Sequence, residues 1–212
     1  KNKKMDQEIK IRNATLDDMK LFLDWANNEH WNIAEVDMKP YYDIDPDGFF
    51  LVEINNEPIA MISCVCYDNY AHISFYIVKK EFRGKGYGFT IFQHAIKYAE
   101  GKISVIGLDG VDEQKENYER SGFQVYDRLS RYIKKAQGYF YKELLSDMHD
   151  LSFDEIVKYD QKIFGSSRKN YLESLLKQKA HAYAIKTDGQ IRGYGILKKT
   201  YTGYKIAPLV AD

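Results

Sequence analysis

The sequence is poor in cysteine. Only Cys64 and Cys66 occur among 212 residues, two positions apart in a strand-like run. Residues two apart in a strand point to the same face, a spacing that does not suit a disulfide between them. We therefore expect two reduced cysteines that are small core or surface residues, as in a reducing compartment.

The sequence also lacks an excess of charge of either sign. Lysine plus arginine and aspartate plus glutamate each total 31, so the formal net charge is zero. The overall charge therefore favours neither nucleic acid nor an anionic membrane as a partner.

Metal-ligand spacing and long apolar runs are missing as well. None of the five histidines shows a spacing such as HxxxH, so we predict no metal site. No apolar run approaches the roughly 18 residues of a membrane span. The first ten residues, KNKKMDQEIK, lack the apolar core of a signal peptide, so a cytoplasmic protein is expected.

Hydrophobic residues make up 44% of the chain, enough for a folded core. Its length and mixed strand and helix patterns predict an α/β chain of one large or two small domains. Periodicity predicts strands at 9–12, 48–54, 59–67, 72–79, 103–108 and 123–132, and helices at 16–26, 89–100, 113–120, 153–164 and 170–178. Residues 27–47 look irregular.

The chain also resembles itself at an offset of 132 residues. Without a gap, Val52–Ala60 falls on Ala184–Arg192, and His72–Lys80 falls on Tyr204–Asp212. Both copies read strand, turn, strand, loop, strand, which favours an internal duplication. At the same offset, the counterpart of Arg83 and Gly84 would fall beyond Asp212. A truncated chain and a natural half-domain both remain open as explanations.

The stretch 81–92, EFRGKGYGFTIF, lies between a predicted strand and a predicted helix. Gly84, Gly86 and Gly88 allow several backbone N–H groups to face one point, and the helix N-terminus adds partial positive charge. Arg83 and Lys85 add formal charge, so the loop can cradle a pyrophosphate. The spacing fits neither a P-loop nor GxGxxG. A solvated basic turn would also explain the glycines.

Two motifs resemble the GCN5-related N-acetyltransferase (GNAT) superfamily. Arg83-Gly-Lys-Gly-Tyr-Gly88 matches its Q/R-x-x-G-x-G/A motif, and Asn117-Tyr-Glu-Arg-Ser-Gly-Phe123 resembles its Y-x-x-x-G-F segment. The resemblance implies an α/β (α+β) mixed-sheet GNAT fold with a catalytic, acyl-CoA-binding domain at 8–136. Residues 139–212 resemble the C-terminal acetyltransferase-like domain of tandem members, here a partial copy lacking the CoA loop.

The resemblance further implies acetyl-CoA as co-substrate, no metal, and direct attack of an amine on the thioester, with Tyr118 as the acid that protonates the leaving thiolate. The implied CoA-binding residues are Ile77, Val78, Arg83, Gly84, Lys85, Gly86, Tyr87, Gly88, Phe89 and Thr90. The sequence departs from the family at Val111, where an asparagine is common, and at Lys80, where a proline is common.

The general base and the acceptor are less well specified. Glu53 and His72 are the candidate general bases. A structural role is the alternative for each of them. The acceptor wall is predicted from Trp31, Tyr41, Tyr42 and Asp43, whose rings and carboxylate suit an amine cation. The acceptor could be a small-molecule or protein amine, and a homodimer is one option. A non-catalytic acyl-CoA sensor or interaction module remains the alternative, and nucleic-acid binding has little support.

Overall fold

The computed structural model describes residues 9–135, 138, 144–178 and 181–212. The N-terminal half contains a five-stranded sheet in the order β1-β2-β3-β4-β5. Its strands are β1 (Ile9–Asn13), β2 (Phe49–Ile54), β3 (Glu57–Cys66), β4 (Ala71–Val78) and β5 (Ile106–Leu108). The first four pair antiparallel, and β5 joins β4 in parallel. The helices of this half are α1 (Met19–Asn28), α2 (Met38–Ile44), α3 (Tyr87–Ala99) and α4 (Lys115–Arg120).

The central strands carry near-continuous apolar sequence because helices cover both faces of the sheet. Phe50 and Ile62 pack with Ile91 and Phe92 of α3 on one face. Phe22 of α1 and its neighbours pack on the other face. Cys64 is buried and Cys66 half-buried against the α3 side, and both are free thiols, as their spacing predicts. Burial raises the pKa of Cys66 to about 11, so this thiol stays protonated at neutral pH.

The C-terminal half repeats the element order of the N-terminal half. Its sheet has the order β6-β7-β8-β9, built from β6 (Ser146–Asp147), β7 (His181–Thr187), β8 (Gln190–Thr200) and β9 (Gly203–Ala211). Helices α5 (Phe153–Phe164) and α6 (Lys169–Lys177) precede β7, as α1 and α2 precede β2. At the 132-residue offset, the first residues of β2 and β4 fall on the first residues of β7 and β9.

Helices α2 and α6, which occupy equivalent places in the two halves, pack against each other. The rings of Tyr41 and Tyr171 stack with centroids 5.5 Å apart. The Lys198 ammonium, fully buried, donates to the Asp37 carboxylate, and Ser174 Oγ donates to Asp43 at 2.7 Å. The two halves are therefore joined by a buried ion pair and an aromatic stack.

Two sequence predictions are wrong. Residues 27–47 contain helix α2, which the proline-rich and aromatic composition concealed because Pro40 is tolerated in the first turn of a helix. The strand predicted at 123–132 is not formed, and most of its side chains are exposed. Its alternating pattern lacks a pairing partner there, since β5 is only three residues long and pairs with β4.

The predicted domain boundary, between residues 136 and 139, lies largely outside the described residues, as does the predicted start at residue 8. Among the described residues, no helix has the length and hydrophobicity needed to cross a membrane.

Candidate active site

Strand β4 has an irregularity at Phe75, whose φ is +50°. The register with β3 shifts here, with Met61 opposite Ile77 but Ser63 opposite Ser74. Ile73 consequently packs under α3, whereas Phe75 and Ile77 pack on the opposite face. A bulge of this kind redirects side chains and bends a strand.

Strands β4 and β5 pair only from Ala71 to Ile73, opposite Ile106 to Leu108. Beyond this point β4 continues to Val78 without a partner strand on that side among the described residues. The free edge of residues 74–78 therefore offers backbone donors and acceptors to an extended ligand. The Val78 carbonyl in this segment accepts from Arg83 Nε at 2.8 Å.

The glycine loop follows this free edge directly. Gly84 and Gly86 have φ of +72° and +88°, a conformation that favours glycine, and α3 begins at Tyr87. Within the part of the chain that the structure describes, the backbone N–H groups of residues 84–89 have no hydrogen-bond acceptor. Unpaired amides at a helix N-terminus form an anion site, so the loop fits a pyrophosphate.

Gly88 has a different role, because it allows α3 to start close to β4. A Cβ at this position would lie 2.8 Å from the Tyr76 hydroxyl and 3.2 Å from Val78 Cγ2. Side chains of the loop fold back on the protein: Arg83 pairs with Glu29 at 2.6 Å, and Lys85 donates to the Glu81 carbonyl at 2.8 Å. The Arg83 and Lys85 side chains are therefore engaged elsewhere, and the loop presents its backbone amides.

A cleft of about 1760 Å³ opens beside β4 and β5. Both halves of the chain line it. Its wall residues from the N-terminal half include Trp31, Tyr41, Ser63, Tyr67, Tyr70, His72, Ser74, Phe75, Asp109 and Tyr118, and those from the C-terminal half include Phe164, Arg168, Tyr171 and Pro208.

Not every residue predicted for the site lies at this cleft. Tyr42 packs on Phe49 with centroids 5.6 Å apart, and Asp43 bonds to Lys39 and Ser174. Glu53 pairs with Arg12 at 2.7 Å and is remote from the lining. His72, Tyr118, Trp31 and Tyr41 do line the cleft.

His72 and Tyr118, which line the cleft near β4 and β5, have shifted pKa values. Burial lowers the pKa of His72, and the Asp109 carboxylate, with Oδ2 3.7 Å from Nε2, acts in the opposite direction. Burial raises the pKa of Tyr118, whose ring packs on Phe92 at 5.9 Å. At neutral pH the imidazole is therefore free to accept a proton and the phenol keeps one to donate.

Tyr76, which lies beside the glycine loop and does not line the cleft, is a neighbour of the site that the sequence did not single out. It extends from β4 towards Gly88, and burial together with the nearby Tyr118 raises its pKa to about 12. Tyr67, Tyr70, Phe164, Arg168 and Tyr171 were also missed, because they come from separate parts of the chain. The only sequence signal for Tyr76 was its position in the alternating pattern of β4.

Two family models match the chain. The acetyltransferase (GNAT) family covers residues 16–123, and an acetyltransferase (GNAT) domain covers residues 156–212. The chain is 33% identical over 203 residues to a holothin acyltransferase from Pseudoalteromonas sp. (strain SANK 73390), covering 94% of this chain and 68% of that protein. It is 24% identical over 162 residues to the uncharacterized N-acetyltransferase YitH of Bacillus subtilis (strain 168), covering 74% and 57%.

A solved Pyrococcus horikoshii protein of acetyltransferase type has a similar fold. The TM-score is 0.75 at 23% identity, over 96% of this chain and 71% of that one. The similarity therefore extends through both halves of the chain. Together with the family matches and the 33% identical relative, it shows that the chain belongs to the GNAT family of acyltransferases and carries a second GNAT-type region in its C-terminal half.

Proposed function

We propose that this chain transfers an acetyl group from acetyl-CoA to a primary amine, through the N-terminal half and with direct attack of the amine on the thioester. The observation that carries the proposal is the continuity of β4. Its free edge begins next to the unpaired amides of the glycine loop and ends at the cleft where His72 lies. A pyrophosphate on the loop would leave the acyl end of the same ligand near the cleft.

The loop residues 84–89 would bind the pyrophosphate through their N–H groups, and the edge of residues 75–78 would hold the pantetheine arm. The side chains of Arg83 and Lys85 would act by their charge alone. Holding the thioester beside a bound amine removes much of the entropic barrier of a two-substrate reaction.

In the proposed reaction, the amine nitrogen forms a bond to the thioester carbonyl carbon, and the carbon–sulfur bond breaks. His72 takes the proton that the amine loses, and Tyr118 gives its proton to the departing thiolate, so that an amide and free CoA result. Transfer by positioned acids and bases of this type contributes roughly 10²–10⁴-fold each. The lowered pKa of His72 and the raised pKa of Tyr118 support these roles. Glu53, held by Arg12 outside the cleft, is the weaker candidate base.

Family membership and the name of the holothin acyltransferase support acyl transfer by a sequence of this kind. The test is calorimetry with acetyl-CoA, followed by thiol detection with a panel of amines. Binding together with amine-dependent release of thiol is expected. Binding without release by any amine would support an acyl-CoA sensor instead, and the absence of binding at millimolar acetyl-CoA would contradict both functions.

A further inference from the structure

The interior of the cleft is aromatic and is built jointly by the two halves. Tyr67 and Tyr70 stack at 5.4 Å, and Phe164 of the C-terminal half packs against both rings, at 5.6 and 6.2 Å. Tyr41, which also lines the cleft, stacks on Tyr171 of the C-terminal half. Flat rings favour stacking with a planar ligand.

The aromatic wall ends at a guanidinium group. Arg168 lies over the Phe164 ring, with its Cζ 4.0 Å from the centroid, and its side chain is 13% exposed. Its Nε and Nη2 donate to the Asp160 carboxylate, while Nη1 has no partner among the residues that the structure describes. Asp160 also accepts from the Tyr194 hydroxyl and does not line the cleft. The Asp160 carboxylate is therefore already paired with Arg168 and Tyr194 outside the cleft, while the Arg168 guanidinium lines the cavity.

The wall next to Arg168 suits a neutral group better than a cation. The carboxylates at the cleft are Asp109, Asp112, Glu113, Glu119 and Asp127, all in the exposed segment after β5. No carboxylate from the described residues lines the deeper wall near Arg168, where a cation would meet a like charge. An aromatic ring, in contrast, would gain stacking partners there, and a carbonyl could accept from Nη1.

We infer that the acceptor is a planar aromatic amine that bears a carbonyl or similar hydrogen-bond acceptor. Its amino group lies towards His72, its ring packs against Tyr70 and Phe164, and its carbonyl accepts from Arg168. The C-terminal half is then the specificity-determining part of the acceptor site. The inference rests on the proposed acetyl transfer.

The test compares kcat/KM for 4-aminobenzamide, aniline, cyclohexylamine and putrescine with acetyl-CoA. Both arylamines should be preferred over both alkylamines. The ratio of 4-aminobenzamide to aniline should then fall about tenfold in a variant lacking the guanidinium, the loss of one charge-assisted hydrogen bond. Comparing this ratio between proteins cancels the different intrinsic reactivities of the two amines.

Because Arg168→Met alone would leave Asp160 buried and unpaired, the variant is Asp160→Asn together with Arg168→Met. Tyr201→Ala, at an exposed position away from the cleft, is the matched control and should leave the ratio unchanged. Acetyl-CoA affinity, measured by calorimetry, should be the same in all three proteins.

A merely structural role for Arg168 would lower activity towards both arylamines without changing their ratio, and that result would overturn the inference. So would a preference for putrescine or cyclohexylamine. Those outcomes leave acetyl transfer intact. If no amine in the panel releases thiol, the proposed transferase function fails and the inference fails with it.

Discussion

At the residue scale, the pKa of His72 links the structure of the cleft to a pH profile. A general base must be unprotonated, so activity rises with pH through the pKa of the imidazole. Burial lowers this pKa below its ordinary value of about 6.5. The rising limb is therefore expected on the acid side of that value.

Asp109 provides a test, since its carboxylate opposes the effect of burial on His72. In Asp109→Asn, the pKa of His72 should fall further, and the acid limb of kcat/KM should move to lower pH. At pH 8, where the imidazole is neutral in both proteins, the rates should be similar. A pH–rate profile from pH 5 to 9 measures the position of the acid limb and the rate at pH 8. An acid limb that moves to higher pH would contradict the assignment of His72 as base.

The acid role of Tyr118 can be separated from that of its neighbour Tyr76. Tyr118→Phe keeps the ring packed on Phe92 but removes the proton donor, so kcat should drop by roughly 10²–10⁴-fold. Tyr76→Phe, which removes the half-buried hydroxyl that lies near Gly88, is the matched control and should have a smaller effect. Single-turnover rates of the two variants measure this difference. An unchanged rate in Tyr118→Phe would exclude Tyr118 as the general acid.

At the element scale, the junction between β4 and α3 combines three features that a ligand needs. The pairing of β4 with β5 stops at Ile73, the two positive-φ glycines turn the chain, and α3 begins with its N–H groups free. Each feature depends on backbone conformation more than on side chains. Substitutions that alter the backbone there should affect binding out of proportion to stability.

Gly86→Ala tests this expectation against Gly101→Ala. Both glycines have positive φ, +88° and +76°, and a Cβ at either would meet nothing within 4 Å. Each substitution should therefore cost roughly 1–2 kcal/mol in the free energy of unfolding. Only Gly86→Ala, in the loop, should weaken acetyl-CoA binding in calorimetry. Equal loss of affinity in both variants would argue against a backbone cradle at residues 84–89.

At the scale of the whole molecule, the two halves share a buried interface that also forms the cleft. Asp37, immediately before α2, and Lys198, on β8, are both almost fully buried, and Tyr171 donates to Asp37 at 3.5 Å. Burial of such a pair costs desolvation energy that only good geometry offsets. Replacing both Asp37 and Lys198 should therefore lower the free energy of unfolding less than replacing only one of them.

Lys198→Met should lower the free energy of unfolding by roughly 3–5 kcal/mol, because Asp37 is left buried without its counter-ion. Adding Asp37→Asn should recover much of this loss. Urea denaturation of the two variants and the parent chain measures the difference. If the double variant were less stable than Lys198→Met alone, the buried pair would not be the source of the cost.

The sequence alone located most of the strands and helices and the glycine loop, because these depend on local patterns. Apolar alternation located β2, β3 and β4, and the spacing of glycines after a strand identified the loop and its likeness to the GNAT motif. The 132-residue offset likewise indicated the second half. The strand and loop signals lie within short stretches of chain, where apolar periodicity and the positions of glycines are sufficient to predict the local structure.

Only the tertiary structure decided which residues share the cleft. Trp31 and His72 meet Phe164 and Arg168 there, although more than 90 residues separate His72 from Phe164 in the sequence. Packing of α2 against α6 brings these segments together, whereas Tyr42 and Asp43, adjacent in sequence to Tyr41, point into other contacts. Long-range contacts and the face on which a side chain lies depend on the packing of whole elements, which no local pattern encodes.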